Sequence, residues 1–421
     1  MAPRILRVGT AGLGMIFDDT YRPFLLAVNE AKLYSPQTGP VTIELAATAS
    51  RTGARVAQLS EPTFRTVTHF TGADAGRRLA AAELDAVCVA TPDDRHFETA
   101  LASLEAGKHV LIEKPSVLSL QELDRLTKAA TNGNALAKVV YHKLLDPDHK
   151  KLRTHVADGV LTHVNNGYCS LLEPKSVGLG QFAEWVTGRN PATYVAVHYL
   201  KLIDFTFGPN WRLARISAAG QRGIVGAASG PTWDSVQLRV IYAYPDGREA
   251  AFDIHTSWVT PDDFPGSVEQ EVQFRFDNGV WNASQRRRGV ELTVEGRTPG
   301  EIKMTPNHHY NGTFLEPWNA RSQRGYGIEA IERFFREVAY VEYGGLPDDR
   351  PARLQEMRAL TYNDLTADRN VVAAVQAVEA ILRTHATDRP GSLVTVNGPH
   401  GGLVQSYPGE PTIDVLYAPP V

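Results

Sequence analysis

Cysteine is nearly missing: Cys88 and Cys169 are the only two among 421 residues. That excludes a disulfide-stapled scaffold and fits a reducing compartment. The two are not at metal-ligand spacing, and Cys88 lies in an apolar run that reads as core. An excess of one charge is missing too. Lys and Arg number 43 against 47 Asp and Glu, a formal net charge of −4, so no broad field draws in nucleic acid or anionic lipid. The short run Arg286-Arg287-Arg288 reads as a solvated turn. No apolar run approaches the roughly 20 residues of a membrane helix. The first apolar segment, Ile5 to Ile16, is broken by glycines and followed by Asp18-Asp19, unlike a secretory signal. Internal repeats and low-complexity stretches are also lacking. The expectation is a cytoplasmic protein with no membrane or nucleic-acid partner. Its length exceeds one ordinary core and suits two.

What is present is an alternation of short apolar runs and amphipathic stretches over the first third of the chain. Arg4 to Val8, Ile43 to Ala49, Ala86 to Ala90, His109 to Ile112 and Leu136 to Val140 read as strands. His96 to Ala106 reads as a helix stopped by Gly107, and Ser119 to Ala130 as a helix opened by a capping box of Ser119 and Glu122. Continuous apolar strands between helices imply a parallel sheet covered on both faces. After about residue 150 the period changes to two. Val236 to Tyr244, Ala250 to Trp258 and Val268 to Phe276 alternate and are punctuated by Pro245-Asp246-Gly247 and Asp277-Asn278-Gly279. Gly325 to Tyr343 and Leu354 to His385 read as helices, while 173–189 and the tail after Arg389 read as irregular. The fold class expected is an α/β doubly wound domain over 1–150. An α+β domain follows over 151–421, with a large, mostly antiparallel, open-faced sheet and a last helix and tail that pack back on the first.

Three groups of residues carry chemistry. Gly9-Thr10-Ala11-Gly12-Leu13-Gly14-Met15-Ile16 follows a strand and opens a helix. Such a turn lets backbone approach a pyrophosphate, and the helix N-terminus adds unpaired N–H donors. Counted from Gly9 against G-x-G-x-x-G, Ala11 stands at the middle glycine. At the end of the second strand, Ser50-Arg51, with Arg55 close by, replaces the acid that binds ribose hydroxyls in NAD-preferring sites. A hydroxyl and a guanidinium suit a 2′-phosphate, so NADP(H) is favoured and NAD(H) is the alternative. The third group is Thr91-Pro92 and His96, then Ala106 to Val110, then Glu113-Lys114-Pro115. A lysine at the carboxyl end of a parallel strand sits where open α/β sheets bind ligands, and its ammonium can ease deprotonation of a hydroxyl. Read alone, the tripeptide is better taken as a surface Glu-Lys pair before a proline.

Taken together these motifs resemble the Gfo/Idh/MocA family (glucose–fructose oxidoreductase, inositol dehydrogenase and rhizopine-catabolism relatives). The resemblance is strongest over residues 5–150. Tyr141-His142-Lys143 with Asp146-Pro147 looks like the entry to the second domain, and Val197-His198-Tyr199 like the helix of the family's active-site histidine. It implies a Rossmann domain, a C-terminal domain whose open sheet forms oligomer contacts in a dimer or tetramer, and Lys114 and His198 at the catalytic centre. Where many members carry Asp four residues before the histidine, this chain has Tyr194; where Asp follows by three, it has Lys201. Tyr194 is spaced i, i+4 from His198 and shares its face on a helix. The expected roles are Lys114 orienting the substrate and His198 or Tyr194 as acid/base, with His142 also at the substrate. Cofactor contacts fall to Gly9, Ala11, Gly12, Gly14, Met15, Ile16, Ser50, Arg51, Thr91, Pro92, His96, Glu113 and Lys114. Weaker candidates for the pocket wall are Asp146, His308, His309, Tyr310, Trp318 and Arg321; Trp185, Trp233 and Trp318 could stack on a sugar, though each is better read singly as core. No metal is expected.

The function so implied is hydride transfer between nicotinamide and a hydroxyl-bearing carbon of a sugar, polyol or sugar derivative. A glycosidase with transient redox, a non-catalytic sensor, and an enzyme holding its own cofactor stay open.

Overall fold

Apolar strands between helices do form a parallel sheet in the computed structural model. It describes residues 4–181, 186–229, 232–264, 268–284, 287, 289–300, 302–306, 311–317, 319, 321–360, 362–387, 389–398 and 401–419. For 30, 31, 181, 228, 229, 302–306, 311, 313, 321, 323 and 326 it describes the backbone only. Two compact units are present. The first is Met1–Leu145 with Asn311–Arg369, the second Asp146–Tyr310 with Asn370–Val421.

The first unit holds β1 (Arg4–Ala11), β2 (Leu33–Ser35), β3 (Gly39–Ser50), β4 (Thr68–Thr71), β5 (Ala86–Val89), β6 (His109–Glu113) and β7 (Ala137–Val140). Their order is β2-β3-β1-β5-β6-β7, with β4 beside β3. Every pairing is parallel except β2–β3. The chain runs from β1 outward to β3 on one side and on to β5 on the other. Between β1 and β5 is therefore the switch point at which open sheets bind ligands. The connecting helices are α1 (Arg22–Ala31), α2 (Ala75–Ala81), α3 (His96–Glu105) and α4 (Leu120–Asn132). Ser119 caps α4 by accepting from the Glu122 amide at 3.3 Å.

Alternation along β1 sends Leu6 and Val8 to one face and Gly9 to the other. Leu6 and Val8 share a buried cluster with Phe24 of α1 and with Ile331, Phe334, Phe335 and Val338. These last four belong to α7 (Tyr326–Tyr343), which the chain supplies when it returns to this unit. The Phe24 and Phe335 rings stack at 5.3 Å. On the opposite face Leu79 and Leu84 close on Gly9, where an added Cβ would stand 2.6 Å from Leu84 and 2.9 Å from Leu79.

The stretch Leu354 to His385, expected as one helix, is two. α8 (Arg350–Ala359) and α9 (Arg369–His385) are separated by a break that ends in a turn of 3-10 helix at Leu365–Asp368. Tertiary hydrogen bonds outweigh helical propensity here. The Val139 amide donates to the Asn363 carbonyl at 2.8 Å, Asp364 forms a bridge with Lys138, and the segment covers the free edge of β7.

The second unit is built on nine strands in the order β13-β12-β8-β11-β10-β9-β18-β19-β20. They are β8 (Val164–Pro174), β9 (Arg212–Gln221), β10 (Ser235–Ala243), β11 (Glu249–Thr260), β12 (Glu269–Phe276), β13 (Val280–Ser284), β18 (Leu393–Asn397), β19 (Gly402–Ser406) and β20 (Ile413–Tyr417). Hairpins β14–β15 (Glu291–Glu295 with Ile302–Pro306) and, in the first unit, β16–β17 (Asn311–Leu315 with Arg321–Gly325) complete the strands. All neighbours in the large sheet are antiparallel except β8–β11. The tail after Arg389, read as irregular, supplies its last three strands. One face is apolar, with Phe252 and Phe274 at 5.5 Å around Phe207. The other is polar: Arg239 and Asp253 are register partners on β10 and β11 and pair at 2.7 Å. Helices α5 (Pro147–Ala157) and α6 (Val197–Phe207) belong to this unit. The Tyr199 hydroxyl of α6 donates to the Ser170 carbonyl of β8 at 2.6 Å.

Candidate active site

The glycine turn sits differently from the register counted on Gly9. β1 continues through Ala11, so Gly9 and Ala11 lie inside the strand; Ala11 is buried and Gly9 serves helix packing. The turn begins at Gly12, whose φ is +94° and whose added Cβ would meet the Ala90 carbonyl oxygen at 2.3 Å. Gly14 faces open space, with nothing within 4 Å of an added Cβ. Gly12 thus makes the tight turn and Gly14 leaves room for a ligand to touch backbone. Helix starts at Met15 and Ile16 and passes through a π-turn at Phe17–Tyr21 into α1. Counted from Gly12, Phe17 holds the third glycine place. It is fully buried in the core beside Leu13 and Phe24, and the wider π-turn accompanies this bulky residue at the start of the helix.

Around this opening the sheet order sets four carboxyl ends side by side: Gly12 after β1, Thr91 after β5, Lys114 after β6 and His142 after β7. The Thr91 hydroxyl oxygen is buried with no hydrogen-bond partner among the described residues. Pro92 is exposed. Both ring nitrogens of His96 face backbone carbonyls. The residue is 1% exposed, and the nitrogens lie 2.8 Å from the Thr91 carbonyl and 2.9 Å from the Pro115 carbonyl. It ties two of these loops together.

Lys114 is half-buried in a stretch where Leu111, Ile112, Glu113, Pro115, Ser116 and Val117 are all buried. Glu113 points inward. Its Oε1 accepts from the Tyr21 hydroxyl at 2.9 Å and lies 3.6 Å from His142 Nε2. Burial by itself would raise this carboxyl. The His142 ring, the Tyr21 hydroxyl and the Lys114 charge outweigh it and hold Glu113 below the usual carboxylate range. Burial and the Glu113 charge push the Tyr21 phenol well up, so Tyr21 is a fixed donor. The start of α7 covers His142, since a Cβ on Gly327 would stand 3.4 Å from His142 Nδ1. At the end of β3, Arg51 is exposed and the Ser50 hydroxyl accepts from the Gly53 amide at 3.1 Å. Arg55 instead pairs with Asp18 at 3.1 Å.

In the second unit a π-turn at Ala192–Ala196 runs into α6. From Pro191 to Ile203 every residue is buried except Tyr194 and His198. The i, i+4 spacing therefore presents both on the single open face of this helix. The Tyr194 ring lies 6.4 Å from that of Trp258, whose indole N–H donates to Glu173 at 2.9 Å. Lys201, in the place of the family's second acid, is 2% exposed. Asp146 caps α5, accepting from the Asp148 amide at 3.0 Å. Trp233 is buried under the Arg222 guanidinium, 4.0 Å from its ring centre, and so does not offer a free stacking face. Trp185, His308, His309, Tyr310 and Trp318 lie outside the described residues, and Arg321 is described in backbone alone. Among the described residues no group of three or more His, Cys, Asp or Glu side chains could hold a metal, and no helix is long and apolar enough to cross a membrane.

Tyr21, Phe17 and Asp368, which the sequence reading passed over, also shape the first unit's site. No short-range pattern points to them: Tyr21 meets Glu113 across 92 residues, and Asp368 meets Ser116 across 252.

Residues 6–141 match the model of an oxidoreductase family with an NAD-binding Rossmann fold, the Gfo/Idh/MocA family. The match covers the N-terminal third of the chain. An inositol 2-dehydrogenase of Saccharopolyspora erythraea is 27% identical over 206 residues, covering 45% of this chain and 56% of the relative. The NADP(+)-linked scyllo-inositol 2-dehydrogenase of Bacillus subtilis is 32% identical over 82 residues, covering 20% of this chain and 23% of its own. The chain thus matches well under two thirds of the length of these curated relatives. In three dimensions the likeness is longer. The inositol dehydrogenase homologue of Azotobacter vinelandii, solved with NADH and myo-inositol, aligns over 92% of this chain and 97% of its own with a TM-score of 0.61 at 19% identity. That likeness shows the fold.

Proposed function

We propose that the protein is an NAD(P)-dependent oxidoreductase acting on a hydroxyl-bearing carbon of a sugar, polyol or sugar derivative. The observation that carries this is the Gly12–Gly14 opening at the β1–β5 switch point, with Lys114 two strands away as the half-exposed residue of a buried loop. In this reading the first unit holds the nucleotide and the second shapes the substrate site. Gly12, Gly14, Met15, Ile16 and the orphaned Thr91 hydroxyl would hold the pyrophosphate and nicotinamide side of the nucleotide. The exposed Arg51, beside Ser50, would take a 2′-phosphate, which favours NADP(H) over NAD(H). The chemistry a nicotinamide supplies there is hydride transfer.

Lys114 orients the substrate hydroxyl and lowers the cost of its deprotonation. His198 or Tyr194 accepts the hydroxyl proton, the first on α6 and the second in the π-turn that leads into it, and the two alone are not buried between Pro191 and Ile203. The polar outer face of the nine-stranded sheet pairs copies of the chain into a dimer or tetramer, and the two buried, unpaired thiols fit the cytoplasm. Fluorescence titration with NADPH and NADH, followed by absorbance assays with inositols and aldoses, tests the reading. Submicromolar to micromolar NADPH binding and steady nicotinamide turnover with one of these are expected. Folded, nucleotide-free protein that binds neither nucleotide would end it.

A further inference from the structure

We propose that Asp368 is a positioning residue of the site, holding the Lys114 loop and the His142 loop in one arrangement; this rests on the role given to Lys114 above. Asp368 has no exposed surface. Its Oδ2 accepts from the Ser116 hydroxyl, two residues after Lys114, and its Oδ1 accepts from the Tyr141 hydroxyl at 2.6 Å, one residue before His142. Ser116 is itself fully buried and Tyr141 is 3% exposed. One carboxylate therefore spends each oxygen on a different loop, at the carboxyl ends of the neighbouring strands β6 and β7.

A buried carboxylate is costly unless its oxygens are hydrogen-bonded, so this arrangement is held strongly. An amide or an apolar group of the same size could keep the packing but not accept two hydroxyl bonds in this geometry. The residue comes from the break between α8 and α9, which is also anchored on β7 through Asn363 and Asp364 and on α4 through Arg369, whose guanidinium donates to Asp124 at 2.7 Å. Asp368 is thus a fixed point against which both loops are set. Fixing Ser116 limits where Lys114 can place its ammonium, and fixing Tyr141 limits how His142 meets Glu113. Small displacements of such groups cost rate far more than they cost binding.

The test uses the full-length chain and Asp368→Asn, with Ser116→Ala and Tyr141→Phe as milder variants that remove one donor each. Three quantities are read: NADPH affinity by fluorescence, kcat and KM with myo-inositol or another turned-over polyol, and the rate at which acetic anhydride labels Lys114 relative to the exposed Lys32. In Asp368→Asn, kcat falls about 10- to 100-fold while NADPH affinity stays within about twofold, and Lys114 labelling departs several-fold from wild type. The milder variants move in the same direction by less. Unchanged kcat and labelling in folded protein, or a fall in kcat matched by an equal loss of NADPH binding, overturns the proposal. If Asp368→Asn does not fold, Ser116→Ala decides by the same readouts. Wild-type protein without turnover on any polyol, or Lys114→Met with turnover intact, counts against the functional reading instead; the labelling still judges Asp368.

Discussion

Gly12 and Gly14 stand two residues apart and answer to different demands. Gly12 is required by the fold: its φ of +94° and the carbonyl 2.3 Å from an added Cβ exclude any side chain. Gly12→Ala should cost more than about 1–2 kcal/mol from the left-handed backbone alone, with a clear drop in melting temperature. Gly14 is not required by the packing, since an added Cβ there meets nothing within 4 Å, and on the proposed function its demand comes from the nucleotide. Gly14→Ala should melt like wild type yet bind NADPH at least about tenfold more weakly, a penalty of roughly 1.4 kcal/mol. Equal nucleotide affinity in Gly14→Ala would mean the opening is not the pyrophosphate site. At the end of β3, Arg51→Ala removes a charged donor worth a factor of about 10–100 in binding. NADPH affinity should fall by that factor while NADH affinity stays put, and a parallel loss of both would show that Arg51 reads no 2′-phosphate. Lys114→Met should lower kcat by about 10²- to 10⁴-fold.

At the scale of elements, local pattern and long-range contact contend, and the outcome explains what could be read from the sequence. Strands β1, β3, β5, β6 and β7 are legible because full burial makes them continuous apolar runs. The face shared by Tyr194 and His198 is legible because helical spacing alone sets it. The glycine register was not, because Gly9 and Gly12 both precede Gly14, and only the pairing of Gly9, Thr10 and Ala11 with β5 tells strand from turn. The break between α8 and α9 was hidden for a similar reason. Its cause is Asn363 and Asp364 pairing with β7, more than 200 residues earlier. Another such distant contact ties α7 to β6, where Glu342 lies 2.9 Å from His109 and 2.7 Å from Arg350. Burial opposes ionisation of Glu342, but hydrogen bonds and charge from His109 and Arg350 prevail and lower its carboxyl from 4.5 to about 2. A depressed carboxyl stabilises the fold above its unfolded value and loses that contribution as pH falls through the folded one. Stability of the first unit should therefore decline between pH 4.5 and about 2, and Glu342→Gln should flatten that part of a melting-temperature profile. A profile of unchanged slope would show that the pairing contributes nothing to folding.

At the scale of the whole molecule, the chain leaves the first unit after Leu145, returns at Asn311 and leaves again after Arg369. A single boundary at 150 follows from the change in hydrophobic period there, and periodicity carries no sign that 311–369 comes back. That return supplies side chains the Rossmann sheet cannot do without. Ile331 and Val338 are fully buried and Phe334 and Phe335 1% exposed, all in one cluster with Leu6 and Val8 of β1 and Phe24 of α1. At about 1.5–3 kcal/mol for each buried large side chain, these four contribute roughly 6–12 kcal/mol, comparable with the about 5–15 kcal/mol that stabilises a whole domain. Residues 1–145 produced alone, although they span the whole family-matched stretch 6–141, should fail to melt cooperatively and should expose an apolar face. Residues 1–145 joined by a flexible linker to 311–369 should melt in one transition by circular dichroism and bind NADPH with the affinity of the full chain. Cooperative melting and full-strength NADPH binding by 1–145 alone would show that α7 merely rests on a core the N-terminal segment completes by itself.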